Sequence, residues 1–220
     1  MVSGRSSSDH NARQIRDALK NMPVQDGEKL VLIGYSKGTA DILQALVTYP
    51  EIQNNIHAFV SIAGVVGGSP IADSLLKAYG TFLEHLPWAQ CISHDDGEVA
   101  SITNAYRQAW MSKNYGNLPK TIRYYSIAAF EQEDHISIPL LSGYRTLAKI
   151  DPRNDGQVIF SEAVLPGGTV LGYAKADHWA IALPIARSDV YVIGKLANHN
   201  AFPREILLEA VVRYIEEDTY

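Results

Sequence analysis

Residues 29–49 read Lys-Leu-Val-Leu-Ile-Gly-Tyr-Ser-Lys-Gly-Thr-Ala-Asp-Ile-Leu-Gln-Ala-Leu-Val-Thr-Tyr. A short apolar run, Leu30 to Ile33, enters Gly34-Tyr35-Ser36-Lys37-Gly38, and a helical pattern leaves it. This is G-x-S-x-G in a strand–turn–helix setting. A serine at the apex of so tight a turn sits in strained backbone with neighbouring chain close by. Glycines two residues before and after are expected to remove side chains that would collide. The turn projects the Ser36 hydroxyl away from the sheet and aims the Lys37 N–H, at a helix N-terminus, towards a developing oxyanion. A small-residue turn before an ordinary helix is the other reading of the same letters. The Lys37 side chain reads as a solvated lysine, or else as a bias on substrate charge.

The rest of the chain expects one soluble domain over 1–220. Its 220 residues are enough for a single buried core, and no linker divides them. A net charge of −5 without a basic cluster argues against nucleic acid. The single cysteine, Cys91, excludes an internal disulfide framework. No apolar stretch approaches the roughly 18 residues that would cross a bilayer, so no stable membrane insertion is expected. Met1 to His10 carries no apolar signal region, so the reading is cytoplasmic, and a processed secreted form would read the same.

Hydrophobic periodicity predicts a helix from Asp9, as N-cap, to Met22, a strand over 29–35 and a helix over 39–49. His57 to Ala63, Thr121 to Phe130 and Thr169 to Ala174 read as further strands, and Pro203 to Glu217 as a closing amphipathic helix. Continuous apolar strands separated by helices imply an α/β fold, a mostly parallel sheet covered by helices on both faces. Residues 68–118 form an insertion with two predicted helices, about 71–86 and 98–113. These read either as extra core-packing helices or as a cap whose inner face holds an acyl chain.

A serine hydroxyl needs a base, and the base needs an orienting group. In a sheet of this kind the acid and then the histidine follow the serine. Of seven histidines, His10 and His57 come too early, and His85 and His94 fall in the insertion. His178, just past the last short strand, is the preferred base, with His199 in reserve. Asp155, in a turn-rich loop, is the preferred acid, although Asp-Gly is also a turn former. Asp134 is its rival, and its neighbour His135 adds a charge-pair or metal reading. Two adjacent residues do not make a ligand set. Asp177, next to His178, is expected to point elsewhere.

Gly34-Tyr35-Ser36-Lys37-Gly38, Asn154-Asp155-Gly156-Gln157-Val158 and Ala176-Asp177-His178-Trp179, in that order, resemble the serine esterases and lipases of the α/β-hydrolase superfamily. The resemblance implies hydrolysis of a small-molecule or lipid carboxylic ester through an acyl-enzyme. Ser36 would attack, His178 would serve as base and then acid, Asp155 would orient it, and no metal or organic cofactor would take part. Acyl transfer by the same three residues and a non-catalytic hydrolase-like scaffold are the alternatives.

The departure from that pattern lies upstream of Leu30. Family members place several strands before the nucleophile strand, and one of the loops supplies a second oxyanion N–H. The sequence upstream of Leu30 reads as one helix, so those N-terminal strands are expected to be missing. The second donor is unassigned, with Ser6, Ser7 or Ser8 as substitutes. The nucleophile strand is then expected at a sheet edge, where pairing into a homo-oligomer would cover it.

Overall fold

The computed structural model describes residues 6–25, 27–75, 97–184, 197 and 202–218. Four strands form one sheet in the order β1 (Leu30–Tyr35), β2 (Ile56–Ile62), β3 (Arg123–Phe130), β4 (Thr169–Lys175). Every neighbouring pair is parallel. All four carboxyl ends therefore open onto one rim, where ligands of open α/β sheets bind. The helices are α1 (Ser8–Lys20), α2 (Lys37–Thr48), α3 (Pro70–Leu75), α4 (Asn104–Asn114), α5 (Leu141–Leu147) and α6 (Arg204–Asp218).

The alternation of side chains along β2 divides the core. Phe59 faces Ala12 of α1, Leu43 and Leu46 of α2, and Trp110 and Met111 of α4. Ala58 and Val60 face the other way, with Tyr125 and Ile127 of β3 and Val211 and Ile215 of α6. Burying a side chain such as Phe59, Leu43 or Leu46 contributes about 1.5–3 kcal/mol each, and these three fix α2 against the sheet. The central strands β2 and β3 are buried almost throughout. β1 is an edge strand among the described residues, and its Ile33 is 38% exposed.

Several boundaries differ from the sequence expectation. Asp9 is not the N-cap of α1. The Ser7 side chain accepts from the His10 N–H at 3.1 Å, and Asp9 falls in the first turn, where its negative charge faces the helix N-terminus. Asn21 caps the other end, two residues before Pro23, so Met22 lies outside the helix. The helix expected over 39–49 begins at Lys37, immediately after the serine. Of the insertion's first helix only α3 lies within the described residues. Its second appears as a short 3₁₀ turn (Ala100–Ile102) followed by α4, whose N-cap Thr103 accepts from the Tyr106 N–H. α5 carries no strong periodicity in its seven residues and was not expected from the sequence.

Beside the serine turn, Gly34 and Gly64 are held by close approach. A Cβ at Gly34 would sit 2.8 Å from the Thr39 Cα, and one at Gly64 would sit 2.2 Å from Ser61 Oγ and 2.3 Å from Thr39 Oγ1. Gly38 is different: a Cβ there meets nothing within 4 Å. The crowding at the turn comes from strand β1 and the chain leaving β2. The first turn of α2 is open at Gly38.

Candidate active site

Ser36 sits between β1 and α2 with φ 52° and ψ −128°, a left-handed conformation that a side chain disfavours. Such strain costs on the order of 1–3 kcal/mol and persists only where the surroundings over-determine it. Here they do. The Ser36 N–H donates to the Ile62 carbonyl at 3.2 Å, and the Ser36 carbonyl accepts from the N–H groups of Thr39 and Val65, both at 3.1 Å. The adjoining Ala63 also has positive φ, 44°, and donates its N–H to the Ile127 carbonyl. Two strained residues thus lie side by side at the carboxyl ends of β1 and β2.

The loop that follows α5 delivers a carboxylate to the same rim. Asn154 and Asp155 stiffen it with their own side chains. Asn154 Oδ1 accepts from the Gly156 N–H, and Asp155 Oδ1 accepts from the N–H groups of Gln157 at 2.9 Å and Val158 at 2.7 Å. Gly156 has φ +94°, which favours glycine. Asp155 is therefore a turn former, and the turn leaves its second oxygen free to face His178. Asp155 Oδ2 lies 2.7 Å from His178 Nδ1, with both residues almost fully buried. A carboxylate can only accept, so the proton at this contact sits on Nδ1. Nε2 then presents its lone pair to the Ser36 hydroxyl, 2.9 Å away.

His178 is carried by the turn after β4. Asp177 anchors that turn: one oxygen accepts from the N–H groups of Trp179 and Ala180, the other from the N–H and hydroxyl of Ser137. The side chain of Asp177 points away from the imidazole, as expected. Asp134 does not meet His178. It is 73% exposed on a short 3₁₀ turn (Glu133–His135), within 4.0 Å of His135 Nε2, while His135 Nδ1 lies 3.5 Å from Glu131. His10 lies in α1 and His57 in β2. His85, His94 and His199 lie outside the described residues. Among the described residues no three His, Cys, Asp or Glu side chains converge as a metal site would require.

Lys37 corrects the sequence reading. Its side chain is not solvated. Nζ donates to Asp41 Oδ1 at 2.6 Å, one helical turn on, and both side chains are nearly buried. The Ser8 hydroxyl donates to the same oxygen and Asn11 Nδ2 to the other, each at 2.7 Å. Beneath them Arg107 of α4 is wholly buried, donates Nε to the Val66 carbonyl, and lies with its guanidinium 4.5 Å from the Trp110 ring centroid. Burial pushes its pKa down to about 10, against the opposing pull of Tyr106 and Asp41. Sequence reasoning missed this cluster because its members come from three helices. Asp41 in an otherwise apolar helix, four residues after a lysine, was the available signal. The Lys37 main-chain N–H opens α2 and is not needed by its ladder, which leaves it available to a ligand.

The fold and this site define the α/β-hydrolase fold, here a parallel sheet with helices on both faces. Its structural neighbours include carboxyl esterases and lipases. A metagenomic carboxyl esterase matches with a TM-score of 0.90 at 37% identity, over 99% of this chain and 64% of that one. A Bacillus licheniformis lipase in its mature form matches at TM-score 0.65 and 23% identity, over 80% of this chain and 69% of the lipase. A phospholipase from Legionella pneumophila shares the fold at TM-score 0.51 and 13% identity, over 74% of this chain and 35% of that one. The chain thus spans less than two thirds of the metagenomic esterase. No protein-family profile matches the chain, and no curated protein does.

Proposed function

We propose that this chain hydrolyses carboxylic esters through an acyl-enzyme on Ser36. The observation that carries the reading is the unbroken line Ser36 Oγ–His178 Nε2, His178 Nδ1–Asp155 Oδ2, built on a strained strand-to-helix turn. Ser36 Oγ attacks the ester carbonyl as its proton passes to His178 Nε2, and the imidazolium gives that proton to the departing alkoxide. Asp155 keeps the imidazole in the required tautomer and stabilises its charge. A water, deprotonated by the same nitrogen, then attacks the acyl carbonyl, and the imidazolium returns the proton to Ser36 Oγ as the C–Oγ bond breaks and the acid leaves. The Lys37 N–H donates to the oxyanion, helped by the N-terminal end of α2. The similarity to a carboxyl esterase at 37% identity supports the reaction class.

Segment 68–118 is proposed as the cap over this site. Its Val99 and Ile102 pack with Val65, whose N–H holds the Ser36 carbonyl, which places apolar side chains beside the turn. Such a wall suits an acyl chain better than a charged group.

The test is a series of p-nitrophenyl esters of increasing acyl length, with wild type and Asp155→Asn. Turnover by wild type and a loss of about 10⁴-fold in kcat for Asp155→Asn are expected, because the amide would favour the wrong imidazole tautomer. The acyl length giving the highest kcat/KM then measures the proposed cap. A folded wild type that turns over none of these esters would overturn the assignment in favour of a scaffold.

A further inference from the structure

His178 is held at every polar atom it has. Its N–H donates to the Asp155 carbonyl at 2.8 Å, Nδ1 meets Asp155 Oδ2, and Nε2 meets Ser36 Oγ. Its carbonyl accepts from the Tyr35 hydroxyl at 2.5 Å. The Tyr35 ring also lies against the imidazole, with centroids 5.1 Å apart and planes tilted by 33°. Tyr35 is the last residue of β1 and directly precedes the nucleophile. The end of β1 and the residue after it therefore hold the histidine at its main chain through the Tyr35 hydroxyl and at its ring through Ser36 and the Tyr35 ring.

We propose that Tyr35 is a positioning residue that holds the His178 main chain in register with Ser36. The proposal rests on the ester-hydrolysis reading for its kinetic consequence but not for its structural one. Without the hydroxyl, the His178 carbonyl loses its donor from β1, and the remaining hydrogen bond between the turn and the nucleophile is Ser36 Oγ–His178 Nε2, which is lost once Oγ is acylated. A base displaced by about 1 Å can lose on the order of 10² in rate. The Tyr35 hydroxyl and the His178 carbonyl are hydrogen-bonded to each other, so the loss is expected in kcat rather than in KM. The ring contributes separately, because an aromatic face favours the imidazolium that forms during acylation.

Tyr35→Phe keeps the ring and removes only the hydroxyl. Two quantities are measured on wild type and variant, well below either melting temperature. The first is solvent exchange of the His178 Nδ1 proton by NMR, which requires no turnover. The second is kcat and KM on a p-nitrophenyl ester. Faster exchange in the variant is expected, together with a fall in kcat of about 10–100-fold and a KM within about twofold. An unchanged exchange rate overturns the proposal, and so does a kcat within twofold of wild type when the wild type is active. If the wild type is inactive but exchange quickens in Tyr35→Phe, the positioning role stands and the ester-hydrolysis reading falls. A purely structural role would lower the melting temperature and leave kcat per folded molecule unchanged.

Discussion

Ser36→Ala is expected to lower kcat by about 10⁴–10⁶ while leaving the chain folded, and Ser36→Gly to be the more stable of the two inactive variants. The first effect follows from the line of hydrogen bonds. Without Oγ no acyl-enzyme can form, and what survives is the residual catalysis from oxyanion stabilisation and binding. The second follows from the backbone. At φ 52° and ψ −128° both serine and alanine keep a Cβ in a region that disfavours it, whereas glycine does not. Each variant loses the same bond to His178, so that loss cancels between them. Relief of roughly 1–3 kcal/mol of strain, less about 0.5–1 kcal/mol for the greater freedom of unfolded glycine, leaves glycine ahead by roughly 1 kcal/mol at mid-range and by up to about 2.5 kcal/mol. Urea unfolding of the two variants measures the difference. Ordinary helix-start behaviour, with alanine equal to glycine or better, would mean that Ser36 is not held under strain.

Asp41→Leu is expected to be the most destabilising single change near the site, by about 3–5 kcal/mol. Asp41 accepts from Lys37, Ser8 and Asn11 and is nearly buried. It also offsets part of the burial cost of the Arg107 guanidinium. Removing it strands two buried cations and takes from Ser8 and Asn11 their shared acceptor. The carboxylate is also the junction between α1 and the first turn of α2, so the turn carrying the Lys37 N–H should loosen with it. Lys37→Met is the informative comparison. It removes a partner from Asp41 but leaves the carboxylate with Ser8, Asn11 and the field of Arg107, and the methionine keeps the apolar stem. Its cost should be smaller by about 2 kcal/mol or more. For a chain of this size, 3–5 kcal/mol lowers the melting temperature by roughly 6–20 °C. Equal losses from the two variants would mean that Asp41 serves only Lys37.

The parts of this molecule that could be read from the sequence depend on neighbours in the chain. The turn around Ser36 is legible because strand, glycine, serine and helix follow one another within a dozen residues. Asp155 and His178 are legible by their order after the serine, and the structure brings all three side chains together. The strands are right to within two residues at each end because apolar runs are long where a parallel sheet is covered on both faces. What was missed depends on distance in the chain. Lys37 looks solvated until Ser8 and Asn11 are placed against Asp41 from 33 and 30 residues away. Gly38 resembles a steric necessity, but the crowding is at Gly34 and Gly64, through a helix residue, Thr39, and a β2 side chain, Ser61. Helix α5 is too short for its period to register, and the N-cap moved from Asp9 to Ser7 because both residues suit the position.

The central claim is that Ser36 is a nucleophile activated by His178, and covalent labelling tests it most directly. The wild type, Ser36→Ala and His178→Ala are each treated with an alkyl p-nitrophenyl phosphonate, then measured by intact mass and peptide mapping. One phosphonyl group per wild-type chain, located on Ser36, is expected. Ser36→Ala should take up none, and His178→Ala should label slower by several orders of magnitude. A folded wild type that stays unlabelled, or labels on another residue, would contradict the account.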